Sequence, residues 1–267
     1  MLSRGLELYR DLPWRRTHDP YAIWISEVML QQTQVSRVDG RWQRWLERFP
    51  TVESLAQASS ADVLAEWQGM GYNRRALALL RAAQTIVECK NGFPRDYSEL
   101  VALPGIGPAT AAGIRAFALD LPGVYLETNV RTVFLHELFP REEGVADKHL
   151  VPLVQASCPH SGARTWYYAL LDYGAWLKRT VPNPSRRSRS HTRQSKFEGS
   201  HRQKRGEVVR QLLAAPAGLT SAELVQTLSE QEKRAGREGV SVMAVEELLA
   251  ELAREGFCWQ RDGIWRA

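Results

Sequence analysis

Hydrophobic positions in the first 180 residues recur at steps of three and four, the spacing of one helix face, and Gly and Pro separate the runs. "YAIWISEVMLQQTQVSRVDGRWQRWLERF" carries this period, and "FPTVESLAQASSADVLAEWQGMGYNRRALALLRAAQTIVECKNGFP" predicts three further helices. "YSELVAL", "PATAAGIRAFAL", "NVRTVFLHELF", "DKHLVPLVQASC" and "ARTWYYALLDYGAWLKR" add more, whereas strand-like alternation is scarce. Beyond residue 205 the pattern changes. "RGEVVRQLLAA", "TSAELVQTLSEQEKRA" and "SVMAVEELLAELARE" predict three helices stopped by Gly256, and "FCWQRDGIWRA" reads as a hairpin turning at Asp262-Gly263. Residues 206–267 are therefore expected to form a small winged-helix-like domain. Such a domain contacts DNA through its second or third helix or serves as a protein docking module, and the acidic third helix weighs against groove insertion.

Charge sharpens the picture between these regions. The segment 183–205, "NPSRRSRSHTRQSKFEGSHRQKR", holds eight Lys/Arg against Glu198, so a chain of net charge +5 is near −2 elsewhere. Cations gathered in this way suit a polyanion, and nucleic acid fits better than membrane because no apolar face runs through the segment. A solvated linker is the plain alternative. The 44% hydrophobic content and nine tryptophans fill real cores, and 267 residues suit about two domains. Cys89, Cys158 and Cys258 lie far apart and predict neither a disulfide framework nor a zinc site. No signal-type segment opens the chain and no run of about 18 apolar residues occurs, so a soluble, cytoplasmic protein is expected.

"LPGIGPATAAG", residues 103–113, sits between two helical patterns. Gly105 and Gly107 permit a tight turn that exposes backbone N–H groups at the start of the next helix, where with Thr110 they can hold a phosphate. The plain alternative is a Gly/Pro turn between packed helices. The stretch resembles the helix-hairpin-helix of DNA repair glycosylases. "LPWR" (12–15), "PYAIWISEVMLQQTQV" (20–35), "FPTVESLA" (49–56), "WQGMGYNRRA" (67–76) and "LDYGAWL" (171–177) follow the order and spacing of one branch of the endonuclease III superfamily, the adenine DNA glycosylase (MutY-like) branch. The likeness covers about residues 6–200. It implies an all-α fold, a six-helix barrel plus a second helical lobe, over residues 1–200, with 183–205 as a basic loop and linker.

The likeness also implies roles. Glu27, among apolar neighbours, matches the acid that protonates the flipped base, and burial would raise its pKa for that task. Glu127, in "LETNVRTV", stands where the family has an Asp that stabilises the oxocarbenium ion. Its extra methylene means that it works from a withdrawn backbone, that the site is retuned, or that it is only a helix-start acid beside Asn129. Ala109 replaces the lysine of bifunctional relatives, so no Schiff base forms there. Trp14, Arg15, Leu30 and Asn129 align with the base pocket, and core packing is the alternative for Trp14 and Leu30. Gln32 and Tyr72 align with residues that enter the duplex, while Asn73 replaces a second tyrosine. Arg186, Arg187, Arg189 and Arg193 are expected on phosphates.

Two family features are absent from the sequence. The spacing of four iron–sulfur cysteines falls near Lys178, Ser185, Ser188 and Gln194, so no cluster and no other cofactor or metal is expected. The loop would instead be held by a buried Phe197 and by the serines and Asn183, or would order only on DNA. The last 60-odd residues are too few and too helical for the Nudix-type domain that reads 8-oxoguanine. The implied function is a monofunctional DNA N-glycosylase acting on double-stranded DNA with a mismatched or damaged base. Adenine is the first choice for the excised base, and thymine, uracil or a damaged base the second. A catalytically weakened DNA-binding or regulatory protein is the competing class.

Overall fold

The computed structural model describes residues 1–192 and 196–267, and Arg193 and Gln194 lie outside them. The chain starts with α1 (Leu2–Glu7), a 3-10 turn at Pro13–Arg15, α2 (Pro20–Leu30), α3 (Val35–Val38) and α4 (Arg41–Arg48). Next come α5 (Val52–Ala56), α6 (Ser60–Glu66), α7 (Arg74–Cys89), α8 (Tyr97–Ala102) and α9 (Pro108–Leu119). α10 (Thr128–Leu138), α11 (Asp147–Ser157), α12 (Ala163–Thr180) and a 3-10 turn at Pro184–Arg187 complete the helical part. The expected all-helical reading holds over this stretch. Caps set several starts: Asp19 accepts from the N–H groups of Tyr21 and Ala22 at α2, and Thr51 and Ser54 form a reciprocal capping box at α5.

Contacts divide the chain into two compact units, Met1–Arg48 with Cys89–Arg193, and Phe49–Glu88 with Gln194–Ala267. The sequence suggests a break near residues 200–206. The contacts instead group residues 49–88 with the C-terminal segment.

The first unit is built on α2, α9, α10 and α12. Phe117, Val133, Phe134, Tyr167 and Leu170 are buried in one apolar cluster. Two glycines let helices approach closely. A Cβ on Gly5 would collide with the Ala169 carbonyl of α12, and one on Gly174 would collide with the backbone of Asn129. The "LDYGA" glycine thus sets the N-terminus of α10 directly against α12.

The segment after α12 is folded. Asn183 Oδ1 accepts from Ser185 N at 3.1 Å and Ser185 Oγ at 2.8 Å. Arg187 donates to Phe139 O at 2.7 Å and Leu135 O at 2.9 Å, satisfying carbonyls at the C-terminal end of α10. Val145 and Ser188 form a parallel bridge, with Val145 N on Arg187 O and Arg189 N on Val145 O. Asn183 and the serines act as expected. Phe197 does not: it is 50% exposed, with the Arg202 guanidinium over its ring. The anchoring that was sought in an apolar side chain comes from a guanidinium fork, whose donors can satisfy two carbonyls at once.

In the second unit, α5–α7 accompany α13 (His201–Ala214), β1 (Leu219–Thr220), α14 (Ser221–Arg234), α15 (Val242–Glu255), β2 (Trp259–Arg261) and β3 (Ile264–Arg266). The antiparallel sheet has the order β1-β3-β2. This helix and strand order is that of a winged helix. Asp262 and Gly263 both adopt positive φ, as a two-residue hairpin turn requires, and Gly256 ends α15 in the left-handed region. The two-residue β1 is too short for its pattern to be seen in the sequence.

Candidate active site

α2 presents Glu27 toward α9 at Gly113. A Cβ added to Gly113 would lie 2.5 Å from Glu27 Oε2 and 2.8 Å from Tyr125 Cε2, so the glycine clears the space in which carboxyl and ring meet. The Tyr125 hydroxyl donates to the Glu27 carboxyl. Tyr125 is held in turn. Its N–H donates to Tyr167 Oη at 3.2 Å, the Tyr167 hydroxyl donates to Gly123 O, and its ring meets Phe117 and Tyr167 edge-on. Burial pushes the Glu27 pKa up to about 8; the Tyr125 bond and Arg15 oppose the rise, and the Glu127 charge adds to it. Near neutral pH this carboxyl keeps its proton.

Glu127 is the N-cap of α10. Its Oε1 accepts from Asn129 N at 2.5 Å and Val130 N at 2.9 Å, and Asn129 Nδ2 donates to Oε2 at 3.4 Å. Burial raises its pKa; the Val130 N–H, the Lys178 ammonium, the Asn129 N–H and Arg131 oppose the rise. The two carboxyls are therefore treated differently: one has a phenol donor in a dense setting, the other two backbone donors and nearby cations. Burial raises both, and more neighbouring groups oppose the rise at Glu127 than at Glu27. The Glu127 carboxyl thus folds back onto the first turn of α10, the helix-start position that the sequence also allows for it.

Arg15 is buried, and so is its partner. Its Nη1 and Nη2 meet Asp172 Oδ2 and Oδ1 at 2.6 and 2.9 Å, and Arg10 Nε meets Asp172 Oδ1 at 2.5 Å. The Arg15 guanidinium lies 4.4 Å from the Tyr168 ring centroid, and that ring stacks on Phe117. A cavity of about 140 Å³ opens here, lined by Leu6, Tyr9, Arg15, Arg164, Thr165 and Tyr168. Trp14 is buried edge-on against Trp42, Leu30 is half-buried, and Asn129 Oδ1 is buried without a partner.

In the hairpin between α8 and α9, Gly105 has φ 76° and Gly107 is the N-cap of α9, where a glycine offers no side chain to bond the first turn. Thr110 is buried and its Oγ1 accepts from Gln31 at 3.1 Å, which directs that hydroxyl inward. Gln32 (φ 53°) and Tyr72 (φ 49°) are exposed residues in the left-handed region, rare for residues with side chains. Arg186 and Arg189 are exposed, whereas Arg187 is spent on α10 carbonyls. Sequence reasoning missed Tyr125, Gly113, Asp172 and Lys178. Only the small residue in "TAAG" hinted at close approach on α9.

Residues 25–175 match the family model described as HhH-GPD superfamily base excision DNA repair protein. The adenine DNA glycosylase of Mycobacterium tuberculosis is 34% identical over 271 residues, covering 91% of this chain and 85% of that protein. That of Mycolicibacterium smegmatis is 40% identical over 169 residues, covering 62% and 58%. The chain belongs to the HhH-GPD superfamily. Within it, the relatives set the chain in the adenine DNA glycosylase branch. The fold agrees: a thermostable thymine-DNA glycosylase superposes with a TM-score of 0.57 at 24% identity (65% of this chain, 84% of that one), and endonuclease III in a non-covalent DNA complex with 0.57 at 19% (67% and 86%). Among the described residues, no helix is long and apolar enough to cross a membrane.

Among the described residues, the positions where the family's iron–sulfur cysteines would fall hold no thiol. Ser185 Oγ is buried and donates to Asn183, Ser188 Oγ accepts from Ser190 N, and Lys178 carries an ammonium. None supplies a thiolate.

Proposed function

We propose that the chain is a monofunctional adenine DNA glycosylase that extrudes a mispaired adenine from duplex DNA and leaves an abasic site, working without an iron–sulfur cluster. The observation that carries this reading is the protonated, Tyr125-bonded carboxyl of Glu27 in the same unit as the anchored carboxylate of Glu127. Glu27 gives its proton to a ring nitrogen of the adenine, making the base a neutral leaving group. As the C–N bond breaks, its electron pair leaves with the base and positive charge grows on the sugar. Glu127 lies against that charge as an anion, and water then adds to the sugar carbon, losing a proton that restores the Glu27 acid. Ala109 offers no amine, so strand cleavage is not coupled to excision at that position.

Gly105 and Gly107 hold a phosphate on the open start of α9, and Gln32 and Tyr72 enter the stack. The relatives' names support adenine as the base. The test is a panel of duplexes carrying A, T, U or damaged bases opposite each partner, incubated with wild type and Glu27→Gln and developed with and without alkali. The expected result is product from adenine-containing mispairs, seen only after alkali and lost in the variant. No product from any duplex, despite tight binding, overturns the reading in favour of a non-enzymatic binder.

A further inference from the structure

The turn that carries Tyr72 is held by contacts that the excision chemistry does not use. Trp67 Nε1 donates to Gly71 O at 3.1 Å, and Arg75 Nη2 donates to Met70 O at 3.2 Å and Gly71 O at 3.0 Å. With Gly69 and Gly71 at φ 80° and 70°, these donors close a tight turn that ends in the left-handed Tyr72, 38% exposed. The guanidinium carbons of Arg75 and Arg202 lie 5.6 and 5.7 Å from the Tyr72 ring centroid, and Arg202 Nη1 donates to the Tyr72 hydroxyl at 3.3 Å.

Two residues on, Arg74 meets both oxygens of Glu255 at 2.6 Å. The same carboxylate accepts from Arg205 at 2.8 Å, and Arg205 also reaches Glu251 at 3.0 Å. Arg202 and Arg205 come from α13, and Glu251 and Glu255 from the end of α15. Two of the four acids on α15, a poor groove reader for its charge, are thus used within the chain. So are Arg202 and Arg205, two cations of the basic run.

We propose that the winged-helix-like domain is a brace for DNA insertion, with Arg202 and Glu255 as the positioning residues that hold the Tyr72 turn. This rests on the reading of Tyr72 as a duplex-inserting residue. A ring that opens a base stack works as a wedge only if it does not yield, and fixing it beforehand removes the ordering cost from the binding step. Glu255 bridges Arg74 at the start of α7 to Arg205 of α13, so the turn is tied to two appended helices. Arg202 fixes the ring through its hydroxyl and its π face.

The test uses the full chain and a mismatched duplex with 2-aminopurine beside the target base, whose fluorescence rises when the stack opens. Tyr72→Ala is expected to abolish the rise. Arg202→Leu and Glu255→Gln should each halve it or more at saturating protein, and raise KM for the duplex about fivefold. Arg202→Lys, which keeps a donor and a charge, should recover most of the signal. The loss should shrink on a duplex whose target base has no partner, where no pair has to be opened. Arg202 is partly exposed, so Arg202→Leu is expected to keep its melting midpoint, which separates positioning from misfolding. Wild-type fluorescence and KM in both Arg202→Leu and Glu255→Gln, with both lost in Tyr72→Ala, would overturn the brace. Retention of both in Tyr72→Ala would overturn the role of Tyr72 and the brace with it, leaving the Glu27 chemistry untouched.

Discussion

Gly113→Ala tests how tightly the acid is seated. The new methyl would meet Glu27 Oε2 at 2.5 Å and Tyr125 Cε2 at 2.8 Å, where ordinary contact begins at 3.4 Å, so the carboxyl must retreat by about 0.9 Å. Misplacement of about 1 Å costs on the order of a hundredfold in rate, or about 2.7 kcal/mol of barrier. Alanine is the better helix former by about 1 kcal/mol, which offsets part of the packing cost. The variant should therefore stay folded while losing its chemistry. Single-turnover excision on an adenine mispair, developed with alkali and run beside a thermal melt, reads both quantities. Gly206→Ala is the control, because a Cβ there has nothing within 4 Å. An excision rate within threefold of wild type in a folded Gly113→Ala protein would refute the placement of Glu27 at the reacting base.

Five further outcomes follow from the same geometry. If protonated Glu27 is the acid, as proposed, the rise of its pKa from 4.5 to about 8 means that excision should hold below pH 8 and fall about tenfold per unit above it. The stability this protonation confers is full below pH 4.5 and lost as pH rises through about 8, so the melting advantage of Glu27→Gln over wild type should grow across that window. Glu127→Gln keeps an oxygen for the α10 cap but no charge, and should lower the single-turnover rate by about 10²–10³ with little change in melting. Asp172→Asn leaves buried Arg15 without its counter-ion and should cost about 3–5 kcal/mol by denaturant titration. Neutralising Arg186 and Arg189 together should flatten the slope of log affinity against log salt by about 1.8, whereas Arg187→Ala should leave the slope alone and speed amide exchange at Val145 and Arg189.

The helices and the hairpin turn were legible because each leaves a local mark. A three-and-four period and an Asp-Gly pair need no knowledge of the rest of the chain, whereas Glu27 stood out only through the family resemblance. What stayed hidden depends on distant partners. Arg15 reads as a pocket cation, and nothing near it in sequence announces Asp172, 157 positions away. Tyr125 lies in a segment without regular structure, and its role depends on Gly113 and Glu27 converging on it. Arg187 and Arg189 are alike as letters, yet one completes the end of α10 and the other is exposed. Composition cannot separate charge that faces solvent from charge that closes a carbonyl. The grouping of residues 49–88 with the C-terminal segment had no local signature either, because it is made by pairs such as Arg74 and Glu255.

The left-handed backbones of Gln32 and Tyr72 have a consequence for directed evolution. Each conformation is disfavoured for a residue with a Cβ by about 1–2 kcal/mol, and glycine relieves it. A selection for thermal tolerance alone would therefore favour glycine at both positions, enriching sturdier proteins that have discarded the two side chains proposed to enter the duplex. Heat resistance and repair would then have to be screened in the same experiment, since at these two sites improving the first discards the second.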